Sequence, residues 1–140
     1  MLENTKGFFE RMKSKLVLLS GMFQSFVSNN REKFKNLYQT NYKTGMYHLE
    51  HGNLWDATLR FKIIKKFWPE KLEAQYQYAI CLILQNMIRD AKALLSDVLK
   101  NNPDYTEAKT LLEDIESNKT QQIIEEYKAK FEKDNETEKK

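Results

Sequence analysis

The chain has 140 residues, of which 41% are hydrophobic and 12% aromatic, with a formal net charge of +3. This length and composition predict one small folded domain and exclude a chain that is disordered throughout, and the near-balanced charge does not by itself indicate a nucleic-acid partner. Four glycines and two prolines are too few for the frequent turns of a many-stranded sandwich or barrel, so an all-α fold is favoured.

Residues 1–30 predict a basic amphipathic helix. Large apolar side chains recur there at steps of three and four residues, the spacing of one helix face, and cations occupy the opposite side. The apolar positions are Phe8, Met12, Leu16, Leu19, Phe23 and Phe26, widened by Phe9, Met22 and Val27, and the cations are Lys6, Arg11, Lys13 and Lys15.

Three interpretations of this amino-terminal helix stay open. A secretory signal peptide is disfavoured because Ser20, Gly21, Gln24 and Ser25 interrupt the apolar run and no small-x-small cleavage site follows, and the run is too short to span a bilayer. A helix lying on an anionic membrane surface fits the apolar face and the cations. Packing on the first repeat of the helices that follow, as an end cap or a dimer seam, is favoured because apolar helix faces usually belong to a core.

An offset of 34 residues relates two stretches in the middle of the chain. Pro69 and Pro103 stand at this offset, and several chemically similar pairs share it. The pairs are Ala57 and Ala91, Phe61 and Leu95, Ile64 and Val98, Glu73 and Glu107, and Ala74 and Ala108. Self-similarity at such a period is typical of a helical repeat.

This pattern resembles the tetratricopeptide repeat, whose helix–turn–helix unit is 34 residues long. The signature packing positions are Gly45, Ala57, Phe61 and Pro69 in a unit at about 38–71, and Ala79, Ala91, Leu95 and Pro103 in a unit at about 72–105. The chain departs from the family at Asn41 and Gln75, where the family prefers tryptophan, and at His48 and Leu82, where it prefers tyrosine. The resemblance implies a TPR-like right-handed solenoid over residues 31–118.

Helices are predicted at about 32–51, 54–67, 71–85, 88–101 and from 105 onward. Gly52 and Asn86 suit the left-handed turn within each unit, and Asn53 is a candidate N-cap. Apolar positions at helical spacing predict one long capping helix from 105, extended over 119–140. These positions are Ala108, Leu111, Leu112, Ile115, Ile123, Tyr127 and Phe131, and the charged tail Glu132–Lys140 is expected to be solvated and frayed.

Few side chains suggest catalysis, so neither an enzyme, a cofactor nor a metal is expected. His48 and His51 lack the further ligands that zinc needs, and an enzyme using Cys81 with His48 lacks a third orienting residue. Cys81, the single cysteine, stands between apolar residues in a predicted helix and indicates a buried side chain in a reducing, cytoplasmic compartment. The basic cluster Arg60, Lys62, Lys65 and Lys66, near Trp68, has no accompanying nucleic-acid motif, so nucleic acid is not favoured.

The resemblance also implies an interaction groove. First helices of such repeats line a concave surface, which here consists of Tyr42, Met46, Leu49, Glu73, Tyr76, Ile80 and Ile83. These mostly apolar side chains predict a groove that binds a helical or extended segment of a partner protein, which makes the chain a non-enzymatic adaptor or scaffold. The alternatives are a self-associating structural protein whose groove is filled by its own helices or subunits, and an adaptor attached to an anionic membrane through its amino-terminal helix.

Overall fold

The structure is a computed structural model that describes residues 2–139. The side chains of Lys6, Phe8, Phe9, Met12 and Val27, which belong to the predicted amphipathic helix, lie outside the described residues. Within the described range the chain forms seven helices and no strand. They are α1 (Leu2–Asn29), α2 (Arg31–Glu50), α3 (Leu54–Phe67), α4 (Leu72–Leu84), α5 (Ile88–Asn101), α6 (Thr106–Glu116) and α7 (Thr120–Glu138).

The chain divides into two compact units. The first, Met1–Leu37, contains α1 and the beginning of α2, and the second, Tyr38–Lys140, contains the rest of α2 and the other helices. In the first unit the helical hydrogen bonds run on through Asn30, whose N–H donates to the carbonyl of Phe26 at 3.0 Å and whose carbonyl accepts from Phe34 at 2.8 Å. No hairpin turn therefore separates α1 from α2.

Three tight turns join the helices of the second unit into hairpins, α2 with α3, α4 with α5 and α6 with α7. Each turn contains one residue in the left-handed region, with φ of 77° at Gly52, 61° at Asn86 and 60° at Asn118. In the first turn the N–H of Asn53 donates to the carbonyl of His48 at 2.8 Å, and equivalent bonds close the other two turns. This is the Schellman arrangement, which satisfies the last carbonyls of a helix. The predictions for Gly52 and Asn86 are confirmed.

The carboxyl-terminal region differs from the predicted single helix. The helix from 105 ends at Glu116, and α7 begins at Thr120, because Asn118 adopts a left-handed conformation that interrupts it. The tail is helical to Glu138 rather than frayed, and Asn135 Nδ2 donates to the carbonyl of Glu50 at 3.0 Å. Asn53 holds the N-cap position of α3, but its side chain makes no capping hydrogen bond.

Several residues related by the 34-residue offset lie in the core of the second unit. Ala57, Phe61, Ala79, Ala91 and Leu95 are fully buried. Gly45 is also buried, and a Cβ at this position would lie 2.9 Å from Cζ of Phe61, so only glycine allows α2 to approach α3 this closely. Pro69 and Pro103 are exposed in the links after α3 and α5, where they follow the helix ends. The all-α, TPR-like fold class is thereby confirmed.

Candidate functional site

Four tyrosines and one carboxylate, from α2, α4 and the link before α6, form what we call the tyrosine face: Tyr38, Tyr42, Glu73, Tyr76 and Tyr105. The rings of Tyr38 and Tyr42 lie 6.0 Å apart on α2, and the hydroxyl of Tyr38 donates to Oε1 of Glu73 on α4 at 2.5 Å. Tyr76 of α4 stacks on Tyr105, which precedes α6, at a centroid distance of 5.7 Å. The four rings are half-buried and Glu73 is exposed.

Burial and carboxylates keep the phenols of this face neutral. Burial, then the hydrogen bond to Glu73, raises the pKa of Tyr38, and burial followed by the charge of Glu73 raises the pKa of Tyr42. Burial is also the main cause of the raised pKa of Tyr105, with Glu107 as the next contribution. The tyrosine face therefore offers hydroxyl groups and ring faces next to the negative charge of Glu73.

A lysine already uses one ring of this face. Nζ of Lys71 lies 4.9 Å from the ring centroid of Tyr38, which is the geometry of a cation–π interaction. The contact shows that the exposed side of Tyr38 accepts a cation. The neighbouring Trp68, 5.8 Å from the Tyr38 ring, is buried. Trp68 is therefore part of the packing beneath the face and does not extend the basic cluster of α3 as a stacking platform.

The last helix, α7, covers part of the surface formed by the first helices of the hairpins. Asn135 bonds to the carbonyl of Glu50 at the end of α2, and the hydroxyl of Tyr127 lies 3.5 Å from that of Tyr76 on α4. His51 Nε2 lies 3.8 Å from a carboxylate oxygen of Glu138. The chain's own helix thus fills one end of the predicted groove.

Between α4, α6 and α7 lies an open cavity of about 430 Å³. Two tyrosines and three carboxylates line it together with apolar and threonine side chains, and no lysine or arginine is among the lining residues. The lining residues are Tyr76, Thr106, Glu107, Thr110, Leu111, Asp114, Ile123, Glu126 and Tyr127. Lys119 pairs with Asp114 at 2.9 Å, so Glu107 and Glu126 carry most of the cavity's uncompensated charge. This cavity continues the tyrosine face through the shared residue Tyr76.

The seven predicted groove residues divide into two groups. Tyr42, Met46 and Tyr76 are half-buried and Glu73 is exposed, so these four offer surface to a partner. The other three are core residues with almost no surface to offer: Leu49, Ile80 and Ile83 are 1%, 2% and 0% exposed. They do not line an open groove because they pack against neighbouring helices.

Three tyrosines of this region were absent from the predicted groove. Tyr38 stands one helical turn before Tyr42, a spacing that could have signalled a shared face. Tyr105 lies in the link before α6 and Tyr127 on α7, and neither has an aromatic partner at the 34-residue offset. The position of Tyr127 follows from the turn at Asn118, which the sequence pattern did not reveal.

The candidate catalytic and metal-binding residues are His48, His51 and Cys81. His51 Nδ1 lies 2.7 Å from the carbonyl of Tyr47, and its ring stacks on Tyr47, whereas Nδ1 of His48 is buried with no hydrogen-bond partner among the described residues. No group of three or more His, Cys, Asp or Glu side chains within residues 2–139 is arranged to hold a metal ion. Burial raises the pKa of the Cys81 thiol to about 12, so the nucleophilic thiolate does not form near neutral pH.

The amino-terminal unit differs from the repeat in exposure. Leu16, Leu18, Leu19 and Met22 of α1 are each at least 60% exposed. Within the described part of the chain, no helix has both the length and the apolar character needed to cross a membrane. The packing of α1 on the first repeat stays a prediction.

The second unit is a helical-repeat array, in which α3, α4 and α5 each pack on the next helix along the chain. Residues 62–115, about two fifths of the chain, match the family model for the tetratricopeptide repeat, and this part of the chain is a tetratricopeptide repeat. Such repeats generally mediate protein–protein interaction, and their proteins are generally non-enzymatic adaptors. No curated protein and no solved structure matches the chain significantly.

Proposed function

We propose that this protein is a non-enzymatic, cytoplasmic adaptor whose tyrosine face binds a segment of a partner protein. One observation carries this proposal: two pairs of half-buried tyrosine rings, Tyr38 with Tyr42 and Tyr76 with Tyr105, lie close enough to the exposed carboxylate of Glu73 that its charge raises the pKa of Tyr42 and of Tyr105. Tyrosine rings supply large contact areas with few rotatable bonds, and they are enriched at the energetically dominant positions of interfaces. The lone buried thiol of Cys81 supports the reducing compartment.

The chemistry of the face favours a partner segment that contains lysine or arginine among apolar residues. Lys71 over the Tyr38 ring is an internal example of the contact such a side chain would make. An exposed cation–π contact contributes about 0.5–1 kcal/mol, and the carboxylates of Glu73 and Glu107 would add attraction that weakens with salt. A basic segment is therefore expected to bind more tightly than an acidic one.

A second function has support from α7. This helix already contacts α2 and α4, so part of the groove is closed by the chain itself, as a self-contained or self-associating structural protein would require. The adaptor and structural alternatives predict different molar masses and different binding. Light scattering over a range of concentrations, with the purified full chain, distinguishes a monomer with a free tyrosine face from a self-associating assembly.

The adaptor proposal is tested with matched tyrosine variants on one helix. Tyr42→Ala removes a ring of the tyrosine face, whereas Tyr47→Ala removes an exposed ring of α2 that stacks on His51, outside the face. Chains captured by the purified protein are identified by mass spectrometry, and their affinities are measured by calorimetry. We expect Tyr42→Ala to weaken binding at least tenfold and Tyr47→Ala to change it little, because truncation of a central interface tyrosine costs about 2 kcal/mol.

A third variant examines the basic side of the molecule. Lys62 and Lys66 are exposed on α3, and their joint replacement by alanine removes two cations without touching the tyrosine face. Unchanged binding of this double variant supports the proposal. Loss of binding there, with normal binding by Tyr42→Ala, would place the site on the basic cluster and contradict the tyrosine face.

A further inference from the structure

The second half of α1 combines an uncharged apolar segment with cations at both of its ends. Residues 16–30 contain no Asp, Glu, Lys or Arg. Arg11, Lys13 and Lys15 precede this segment, and Arg31, Lys33 and Lys35 follow it, all of them exposed. Glu32 is the single acidic residue among residues 11–35.

Most of the large apolar side chains of this segment form one exposed face, while Val17, which is 72% exposed, lies on the opposite side. At 100° per residue, Leu18, Met22 and Phe26 lie along one line of the helix, with Leu19 and Phe23 beside it. Their exposed fractions run from 44% for Phe23 to 64% for Leu18. Ser20, Gln24 and Ser28 lie on the opposite side. Contiguous apolar surface of this extent marks a site of interaction with a protein or a membrane.

We propose that the apolar face of α1 inserts into an anionic phospholipid surface, with the flanking cations against lipid headgroups. The segment is about 22 Å long at ~1.5 Å per residue, which is shorter than the ~30 Å hydrocarbon core of a bilayer, so it lies in the interface and does not cross. This length agrees with the absence of a membrane-spanning helix among residues 2–139.

Charge complementarity favours lipid over a second copy of α1. Because cations flank the apolar segment on both sides, pairing with another α1 would bring like charges together in the parallel and in the antiparallel orientation. Within residues 10–35 only Glu32 and Glu10, which pairs with Lys13 at 3.2 Å, are available to offset them. An anionic surface complements both ends of the segment at once. Each basic residue near such a surface contributes about 1 kcal/mol, which raises the partition coefficient about fivefold.

The test uses flotation of the full chain with vesicles of phosphatidylcholine alone or mixed with phosphatidylserine. We expect the chain to float with the mixed vesicles, to float far less with phosphatidylcholine alone, and to be released as salt increases. Replacing Lys13 and Lys15 by glutamine should lower the partition coefficient by about 25-fold, since each cation contributes about fivefold.

Two variants with the same added charge separate insertion from simple attraction. Leu19→Glu places a carboxylate on the apolar face, and Gln24→Glu places one on the opposite side. Insertion predicts that Leu19→Glu abolishes flotation and that Gln24→Glu keeps most of it, with circular dichroism confirming equal helix content. Equal behaviour of the two variants overturns the proposal. So does failure of the parent chain to float with anionic vesicles at low salt, or light scattering in which a concentration-dependent dimer of the full chain is lost in Leu19→Glu.

Discussion

The helical-repeat array of the second unit, which we call the repeat, and α1 use similar apolar side chains in opposite ways. Phe61, Ile64 and Leu95 of the repeat are fully buried, whereas Leu16, Leu18 and Leu19 of α1 are each at least 60% exposed. In the repeat, a left-handed residue after α2, α4 and α6 turns the chain back into the next helix. The link at Asn30 has no such turn, and the helical hydrogen bonds continue through it. Turn chemistry, more than apolar content, thus decides which side chains the fold buries.

Truncation of a large apolar side chain should give the largest difference in the free energy of unfolding between the two regions. Phe61→Ala should lower the free energy of unfolding by about 3–5 kcal/mol, because it leaves a cavity between α2 and α3. Leu18→Ala in α1 should change it by less than about 0.5 kcal/mol, since Leu18 is exposed. Urea denaturation followed by circular dichroism measures both. Equal losses would mean that α1 is packed as tightly as the repeat core.

Enlarging a small core residue gives the next largest effect. Ala91→Leu should cost about 1–3 kcal/mol by forcing α5 away from its neighbours, because Ala91 is fully buried. Ala93→Leu, two residues further along the same helix, is the matched control because Ala93 is exposed. Thermal unfolding should rank the two variants in this order, and equal melting temperatures would contradict the proposed packing register.

The turn at Asn118 should contribute a smaller amount. Asn118→Ala forces a side chain with a Cβ but no local hydrogen bonding into the left-handed region, at a cost of about 1–2 kcal/mol. Asn118→Gly should cost nothing or slightly stabilise the chain, because glycine adopts this conformation freely. Equal free energies of unfolding for Asn118→Ala and Asn118→Gly in chemical denaturation would contradict a left-handed residue between α6 and α7.

The sequence predicts the repeat well because a duplicated pattern carries its own internal check. The 34-residue offset identifies the buried positions Ala57 with Ala91 and Phe61 with Leu95, and the helix Leu54–Phe67 has the predicted bounds. Small residues and prolines at matching places each limit the backbone to few conformations, so their agreement specifies the hairpins.

The site is harder to predict because it depends on a third hairpin that does not keep the offset. Gly52 and Asn86 stand 34 residues apart, but Asn118 follows after 32, and apolar spacing on either side continues as if one helix were present. Without that turn, α7 cannot be placed near Tyr76 or Glu50. Burial of Leu49, Ile80 and Ile83 likewise depends on how neighbouring helices pack, which helical periodicity alone does not give.

The smallest predicted effect concerns ionisation in the core. Burial raises the pKa of Cys81 from 9.0 to about 12, so the thiol contributes stability that is fully present below pH 9 and is lost as pH rises toward 12. At pH 9, half of the unfolded thiols ionise, which lowers the free energy of unfolding by about 0.4 kcal/mol.

Thiol alkylation measures the difference in side-chain exposure between the two regions directly. The thiol of Cys81 should react slowly at pH 8 while the chain is folded and rapidly after urea has unfolded it. A Leu18→Cys variant in a Cys81→Ala background should react rapidly without urea, since position 18 is exposed. Fast alkylation of Cys81 in the folded chain would contradict its burial.

Hydrogen exchange of the full chain, with and without phosphatidylserine-containing vesicles, tests the contrast between the two regions most directly. Amides of α3, α4 and α5 should be protected in both conditions, because their helices are held by buried side chains. Amides of residues 16–29 should exchange rapidly in buffer and become protected when vesicles are added. Strong protection of residues 16–29 in buffer alone would instead show that α1 is already packed against protein, and would contradict an apolar face kept for lipid.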